Sequence, residues 1–211
     1  MHGHKHIERI MLRLRSEIFD RPIMDNTMRG LWVECMVAEA LGSTCSIVSH
    51  GWHPWDLQLG RSADEYPRRI RIQVKNTARL QTWEDPKRPL TECLWTLAMR
   101  PRPAYFDRYN DGVACEEYGF LCDLFILALH DNEDRRSADQ RCPDQWRFFL
   151  VPVVGPNALF QIKQGREGQR SNPSYTVKPA TLQRGIRGRP PVNPVPWSNL
   201  TSQMIGETLA I

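Results

Sequence analysis

The sequence has no C-x-x-C pair, and so lacks the short-spaced ligands of most structural zinc sites. Its six cysteines stand scattered at 35, 45, 93, 115, 122 and 142. Cys35, Cys93 and Cys122 fall inside apolar runs. That predicts buried free thiols in a reducing compartment rather than a disulfide framework. Nor is there a run of the ~20 apolar residues needed to span a bilayer. The N-terminal stretch has charges spread through it and no unbroken apolar segment of a secretory signal. The expectation is a soluble, cytoplasmic protein with no membrane partner. Charge of one sign is also scarce: 28 basic residues face 24 acidic ones, for a net +4. Total charge therefore does not argue for nucleic acid, and its distribution has to be read instead. No internal repeat and no recognition-helix or finger motif is visible.

What is present fits one globular domain. The chain has 211 residues, 41% hydrophobic and 25% charged, enough for a sizeable core. Residues 1–19 read as a helix, with Ile7, Ile10, Met11, Leu14 and Ile18 recurring at spacings of three and four. His2, His4 and His6 alternate at its start, as metal ligands or as a polar, fraying end. Asp20-Arg21-Pro22 ends it. A second helix is expected from an N-cap at Asn26 or Thr27 to Gly42, with Leu31, Cys35, Ala38 and Leu41 as its apolar stripe. Residues 45–50 are a short strand candidate. Residues 119–130 form an almost continuous apolar run, as a strand buried on both faces would. Residues 145–154 are a further strand, with Pro152 marking its end or an edge. The stretch 90–99 is too mixed to type. Residues 101–117 form a polar loop whose Tyr105, Phe106 and Tyr109 either stack on bases or cap the core.

The chain is organised around residues 52–77. Two strands, 55–59 and 69–75, flank a polar turn segment and read as a hairpin. Period-two alternation puts Ile70, Ile72 and Val74 on one face of the second strand, and Arg71, Gln73 and Lys75 on the other. Asp56 heads the first strand. Glu34 lies on the preceding helix, where the alternative to a functional role is a solvated carboxylate. Phosphodiester hydrolysis needs a cation to neutralise phosphoryl charge and an activated water. Asp56 can ligate such a cation, as can the Gln73 amide oxygen and the Val74 carbonyl. Glu34 can join them directly or through water, and Lys75 can orient or deprotonate the water. His53 reads as a turn residue or as an alternative base. Asp123 and His130 read as buried polar groups with local hydrogen-bond partners.

These residues resemble the PD-(D/E)XK nuclease superfamily. The helix piece is Arg29-Gly30 followed by Glu34, the Asp piece is Trp55-Asp56-Leu57, and the last piece is Gln73-Val74-Lys75. The spacing from Arg29-Gly30 selects Glu34 over Glu39. Gln73 stands where most of the family has an acid, which lowers the charge of the site by one. Trp55 stands where the name-giving proline would be, with Pro54 one place earlier. The resemblance implies a restriction-endonuclease-like α/β fold, a mixed central β-sheet flanked by helices. It also implies Mg²⁺-dependent DNA cleavage (Mn²⁺ substituting), catalytic residues Glu34, Asp56, Gln73 and Lys75, and metal ligands Asp56, Gln73, Val74 and Glu34. Such enzymes are often homodimers. The neutral Gln73 keeps open a non-catalytic nucleic-acid-binding or assembly module on the same fold.

Residues 1–160 are read as the core domain with its N-terminal helices. Residues 161–211 are read as a basic, loop-rich extension packed on it. Between 161 and 190, Lys163, Arg166, Arg170, Lys178, Arg184, Arg187 and Arg189 face the single acid Glu167. The first six are the candidate DNA-backbone contacts, the alternative being a solvated tail. A short C-terminal helix is expected to start at Ser198 or Asn199.

Overall fold

The computed structural model describes residues 2–49, 55–60, 69–83, 90, 92–101, 118–160, 173–186 and 188–210. His53, Tyr105, Phe106, Tyr109, Cys115, Lys163, Arg166, Arg170 and Arg187 lie outside them. The described residues form four α-helices and ten strands: α1 (His2–Phe19), α2 (Asn26–Leu41), β1 (Cys45–Ile47), β2 (Leu57–Leu59), β3 (Ile70–Ala78), β4 (Trp95–Ala98), β5 (Arg100–Pro101), β6 (Tyr118–Gly119), β7 (Leu124–His130), β8 (Trp146–Pro152), β9 (Ser174–Val177), α3 (Pro179–Arg184), β10 (Val195–Pro196) and α4 (Ser202–Leu209). Among the described residues no helix is long and apolar enough to cross a membrane.

The centre is a six-stranded mixed sheet in the order β1-β2-β3-β7-β8-β10. The expected hairpin is there: β2 runs antiparallel to β3, with Leu57 opposite Ile72. β3 is parallel to β7, and every other neighbouring pair is antiparallel. Seven consecutive residues of β7 are buried, because both faces of the sheet are covered. On one face Ile70, Ile72 and Val74 pack with Val33, Met36, Val37 and Leu41 of α2 and with Ile205 and Leu209 of α4. On the other, Phe125, Leu127, Leu129, Phe149 and Val151 pack with Trp55, with Trp95 and Leu97 of β4, with Val177 of β9 and with Leu182 of α3. The domain is thus a mixed α/β structure with the sheet between two unlike layers.

Several local expectations change. The buried stripe of α2 is Arg29, Val33, Met36, Val37 and Leu41, so Leu31 and Ala38 are only half-buried and Cys35 is exposed. A buried arginine at the start of the stripe disguises it, because Arg29 reads as a solvent position. The N-cap is Asp25, whose carboxylate accepts the Thr27 N–H at 2.9 Å. Asn26 is instead turned to the Arg29 guanidinium at 2.6 Å. The apolar run 119–130 is broken at Asp123, whose carboxylate takes the Arg71 backbone N–H at 2.8 Å and the Arg71 guanidinium at 2.6 Å and 3.0 Å. The untyped stretch 90–99 holds β4, which pairs with β9 out of the segment expected to be loop-rich. The C-terminal helix starts at Ser202, capped by Thr201, whose hydroxyl accepts the Met204 N–H at 3.2 Å. A 3₁₀ turn at Trp197–Asn199 comes before it. The Ser202 hydroxyl donates to the Leu41 carbonyl at 2.7 Å, fastening α4 to the end of α2.

The charged connector 131–144 is anchored by one buried amide. Gln140 accepts the Met24 N–H at 2.9 Å and donates to the Leu80 carbonyl at 2.8 Å. His130 is likewise enclosed, its Nε2 3.1 Å from Gln145 Oε1 and its ring against Trp146. Burial holds its pKa below the ordinary value, against the opposing pull of Asp139 and Gln145. The unfolded chain therefore takes up the proton first, and stability falls as pH drops below about 6.5, the unfolded histidine value. Urea midpoints measured between about pH 7.5 and 5.5 should decrease. His130→Gln should flatten that slope. An unchanged slope in the variant would assign the loss to other groups.

Candidate active site

The candidate residues gather at the edge where β2 begins beside the middle of β3. Asp56 precedes β2, and its backbone is held from both sides. Its N–H donates to the Ile72 carbonyl at 3.0 Å, and its carbonyl accepts the N–H groups of Val48 at 2.9 Å and Ser49 at 3.3 Å. Its carboxylate accepts the Val74 N–H at 2.7 Å. In an extended strand the N–H and C=O of one residue point to the same neighbour. The carbonyls of Ile72 and Val74 thus both face the β2 edge, and the Val74 carbonyl opens beside Asp56.

Gln73 and Lys75 project on the side of the sheet away from α2. β3 pairs in parallel with β7, Gln73 beside Phe125 and Lys75 beside Leu127, and those two side chains belong to the second core. Asp56 stands at the bend before β2, and its N–H meets the carbonyl of Ile72, the residue already paired with Leu57. Lys75 lies close enough to act on the Asp56 charge. Gln73 enters only by sharing a face of β3 with Lys75. The remaining position of this row, Arg71, is committed to Asp123 and lies with its guanidinium 5.8 Å from the centre of the Trp55 ring.

Glu34 comes from the opposite side. It sits on α2, which covers the Val74 face, and reaches the same edge through Ser49: the Ser49 hydroxyl donates to Glu34 at 2.9 Å. Ser49 also bonds the Asp56 carbonyl through its own N–H. Ser49 thus couples the two carboxylate-bearing residues, a role the sequence reading missed. A serine just after a short strand carries no distinctive signal.

Arg29, which entered the sequence reading only as part of the helix motif, has a further role there. It is buried, and its guanidinium donates to Asn76 at 2.8 Å, Gln81 at 2.7 Å and Asn26 at 2.6 Å. Burial lowers its pKa to about 10, with Asp25 and Cys93 pulling the other way, so it stays charged at neutral pH. Asn76 follows Lys75 on β3. Arg29 therefore fixes the height of α2 against the strand that carries Gln73 and Lys75, and with it the position of Glu34. The available signal was an arginine four and eight residues before Val33 and Val37, at the spacing of a buried helix face.

Electrostatically the site is acid-poor. Burial pushes the Asp56 carboxyl above its ordinary pKa, and the nearby Lys75 charge and the Val74 N–H only partly oppose that. Among the described residues no group of three or more His, Cys, Asp and Glu is placed to hold a metal ion. Two carboxylates and a backbone carbonyl remain as hard oxygen donors. That set suits Mg²⁺, which is commonly held by one or two carboxylates and keeps several waters. It does not suit a metal that needs a complete protein cage.

Of the candidate DNA-backbone contacts, Lys178 and Arg184 are described. Lys178 precedes α3 and pairs with Glu92 at 2.7 Å. Arg184 ends α3 and donates to the Ala180 carbonyl at 3.2 Å. The Glu92 pair offsets one of the charges counted toward a phosphate-binding surface. No protein-family model matches the chain, nor does any curated protein or solved structure.

Proposed function

We propose that the chain is a metal-dependent endonuclease that hydrolyses DNA phosphodiester bonds on a restriction-endonuclease-like fold. The observation that carries this reading is the meeting of Asp56, the Val74 amide and Lys75 at one sheet edge, with Glu34 joined to it through Ser49. Asp56, the Val74 carbonyl and Glu34 would hold Mg²⁺, and Gln73 could contribute its amide oxygen. Bound there, the ion would neutralise charge on the phosphoryl oxygens and acidify a water. Lys75 is a compact cation on a flexible stem, suited to orienting that water and stabilising it as hydroxide. Asp56 works ionised, so its raised pKa makes metal binding improve as pH rises through the acid range.

Purified chain should nick supercoiled DNA with Mg²⁺ or Mn²⁺ and not with EDTA. Gln73→Glu restores a third acid beside Asp56. It should lower the Mg²⁺ concentration for half-maximal nicking by about tenfold, the effect of ~1.4 kcal/mol. A variant that needs more Mg²⁺ would place the Gln73 side chain outside the ion's reach.

The scarcity of acids favours one second reading, a nucleic-acid-binding or assembly module on the same fold. It predicts salt-sensitive DNA binding that ignores metal and survives Asp56→Ala. Failure of every DNA form to be cut, with such binding intact, would select it.

A further inference from the structure

Helix α1 carries an apolar stripe that the other described residues leave uncovered. Ile7, Ile10, Met11 and Leu14 are 58%, 65%, 60% and 52% exposed. Ile18, at the end of the same stripe, is half-buried. The helix is tied to the body at its C-terminal end. There the Phe19 ring lies 5.3 Å from that of Trp32, and Arg141 donates to the Phe19 carbonyl at 3.0 Å. A helix with one apolar face draws most of its stability from burying that face. The exposed stripe amounts to several hundred Å² (order of magnitude), the size at which an apolar patch on a protein marks an interaction surface.

We propose that this stripe is a self-association surface on which α1 of a second copy packs antiparallel. Ile7, Met11, Leu14 and Ile18 are separated by four, three and four residues, the seam of a two-helix coiled coil. An antiparallel pair sets Ile7 against Ile18 of the second copy and Met11 against Leu14. It is closed by a two-fold axis and leaves no open end. Taking Met11 and Leu14 as the two seam positions, Glu8 and Arg15 both fall on the same flank, one residue beyond the seam. Antiparallel helices bring those like-numbered flanks together, so Glu8 of each copy meets Arg15 of the other, twice per dimer. A parallel pair would instead set Arg15 beside Ile10 and form neither ion pair.

The same pattern disfavours an anionic lipid surface. Amphipathic helices that lie on membranes are favoured by basic residues bordering the apolar face. Here two acids, Glu8 and Glu17, and one base, Arg15, border it, while Arg9 and Arg13 point to the far side. Two stripes together bury on the order of 1,000 Å², the lower edge of specific interfaces, so the dimer should be weak and concentration-dependent. The inference does not depend on the reaction proposed for Asp56.

Sedimentation velocity of the full chain between about 5 and 200 µM tests it. The expected result is a rise in weight-average mass from monomer toward dimer. Met11→Glu/Leu14→Glu should remain monomeric at every concentration with the melting temperature of the wild type. Glu8→Arg should weaken the dimer, and Glu8→Arg/Arg15→Glu should restore it. A chain that stays monomeric throughout overturns the proposal. So does a dimer indifferent to Met11 and Leu14, or a charge swap that restores nothing. Binding to phosphatidylserine-containing vesicles through Met11 and Leu14 by a chain that stays monomeric in solution would replace the second copy with a lipid surface.

Discussion

On the proposed nuclease reading, Asp56→Asn and Lys75→Ala should each reduce Mg²⁺-dependent nicking by about 10³-fold, the equivalent of ~4 kcal/mol of lost transition-state stabilisation. The two variants are expected to part company in stability. Asn is nearly the shape of Asp, and its amide oxygen can still accept the Val74 N–H now held at 2.7 Å. What it removes is a charge that burial disfavours. Without metal, Asp56→Asn should therefore raise the melting temperature, a gain in stability at the expense of function. The pH dependence follows the same sign. With its native pKa above the unfolded value, Asp56 makes the native state bind more protons between the two. In metal-free buffer that favours the wild type as pH falls through this window, and Asp56→Asn should lose the effect. Metal affinity, on the proposed reading, should run the other way and weaken with acid. Calorimetric melting with and without Mg²⁺, beside a plasmid-nicking assay, separates the effects. Normal nicking by Asp56→Asn would remove the residue from the chemistry. A lowered melting temperature would show its carboxylate to be structural.

The sequence made legible whatever depended on period and on local chain breaks. Over residues 70–75 β3 alternates buried and half-buried residues as its sequence does, and β7 is buried throughout, apolar but for the terminal His130. α2 stops at Gly42, whose φ of 80° suits a residue with no side chain and whose N–H closes on the Ala38 and Glu39 carbonyls. Hidden were the features made by pairs distant in the chain. Asp123 looked like part of a strand because nothing beside it announces Arg71, 52 residues earlier. Gln140 looked like part of a polar connector, although its side chain bonds chain positions as remote as Met24 and Leu80. At the candidate site the hairpin geometry followed from register. The route by which Glu34 arrives did not, since it passes over the sheet edge through Ser49 from the face opposite Lys75.

Arg29→Met should lower the stability of the whole domain by about 1–3 kcal/mol, the usual cost of leaving a buried acceptor without its donor. Met fills a similar volume, so the effect is not a cavity. The loss comes from three side-chain carbonyls, those of Asn26, Asn76 and Gln81, that lose a charged donor. Gln81 and the Arg29 guanidinium are buried, so water cannot readily replace the bond between them. Arg29→Lys should recover only part of the loss. An ammonium can point at the three oxygens only by bending from one atom, whereas the guanidinium meets them from three separate nitrogens. The consequence reaches the candidate site, because the Asn76 bond ties α2 to the strand position directly after Lys75. At a temperature where Arg29→Lys remains folded, its nicking rate should fall while Glu34, Asp56 and Lys75 are all still present. The fall should appear as a higher Mg²⁺ requirement, since Glu34 and not Lys75 is the group displaced. Equal Mg²⁺ dependence in the lysine variant and the wild type would confine Arg29 to stability and uncouple the seating of α2 from the metal-binding edge.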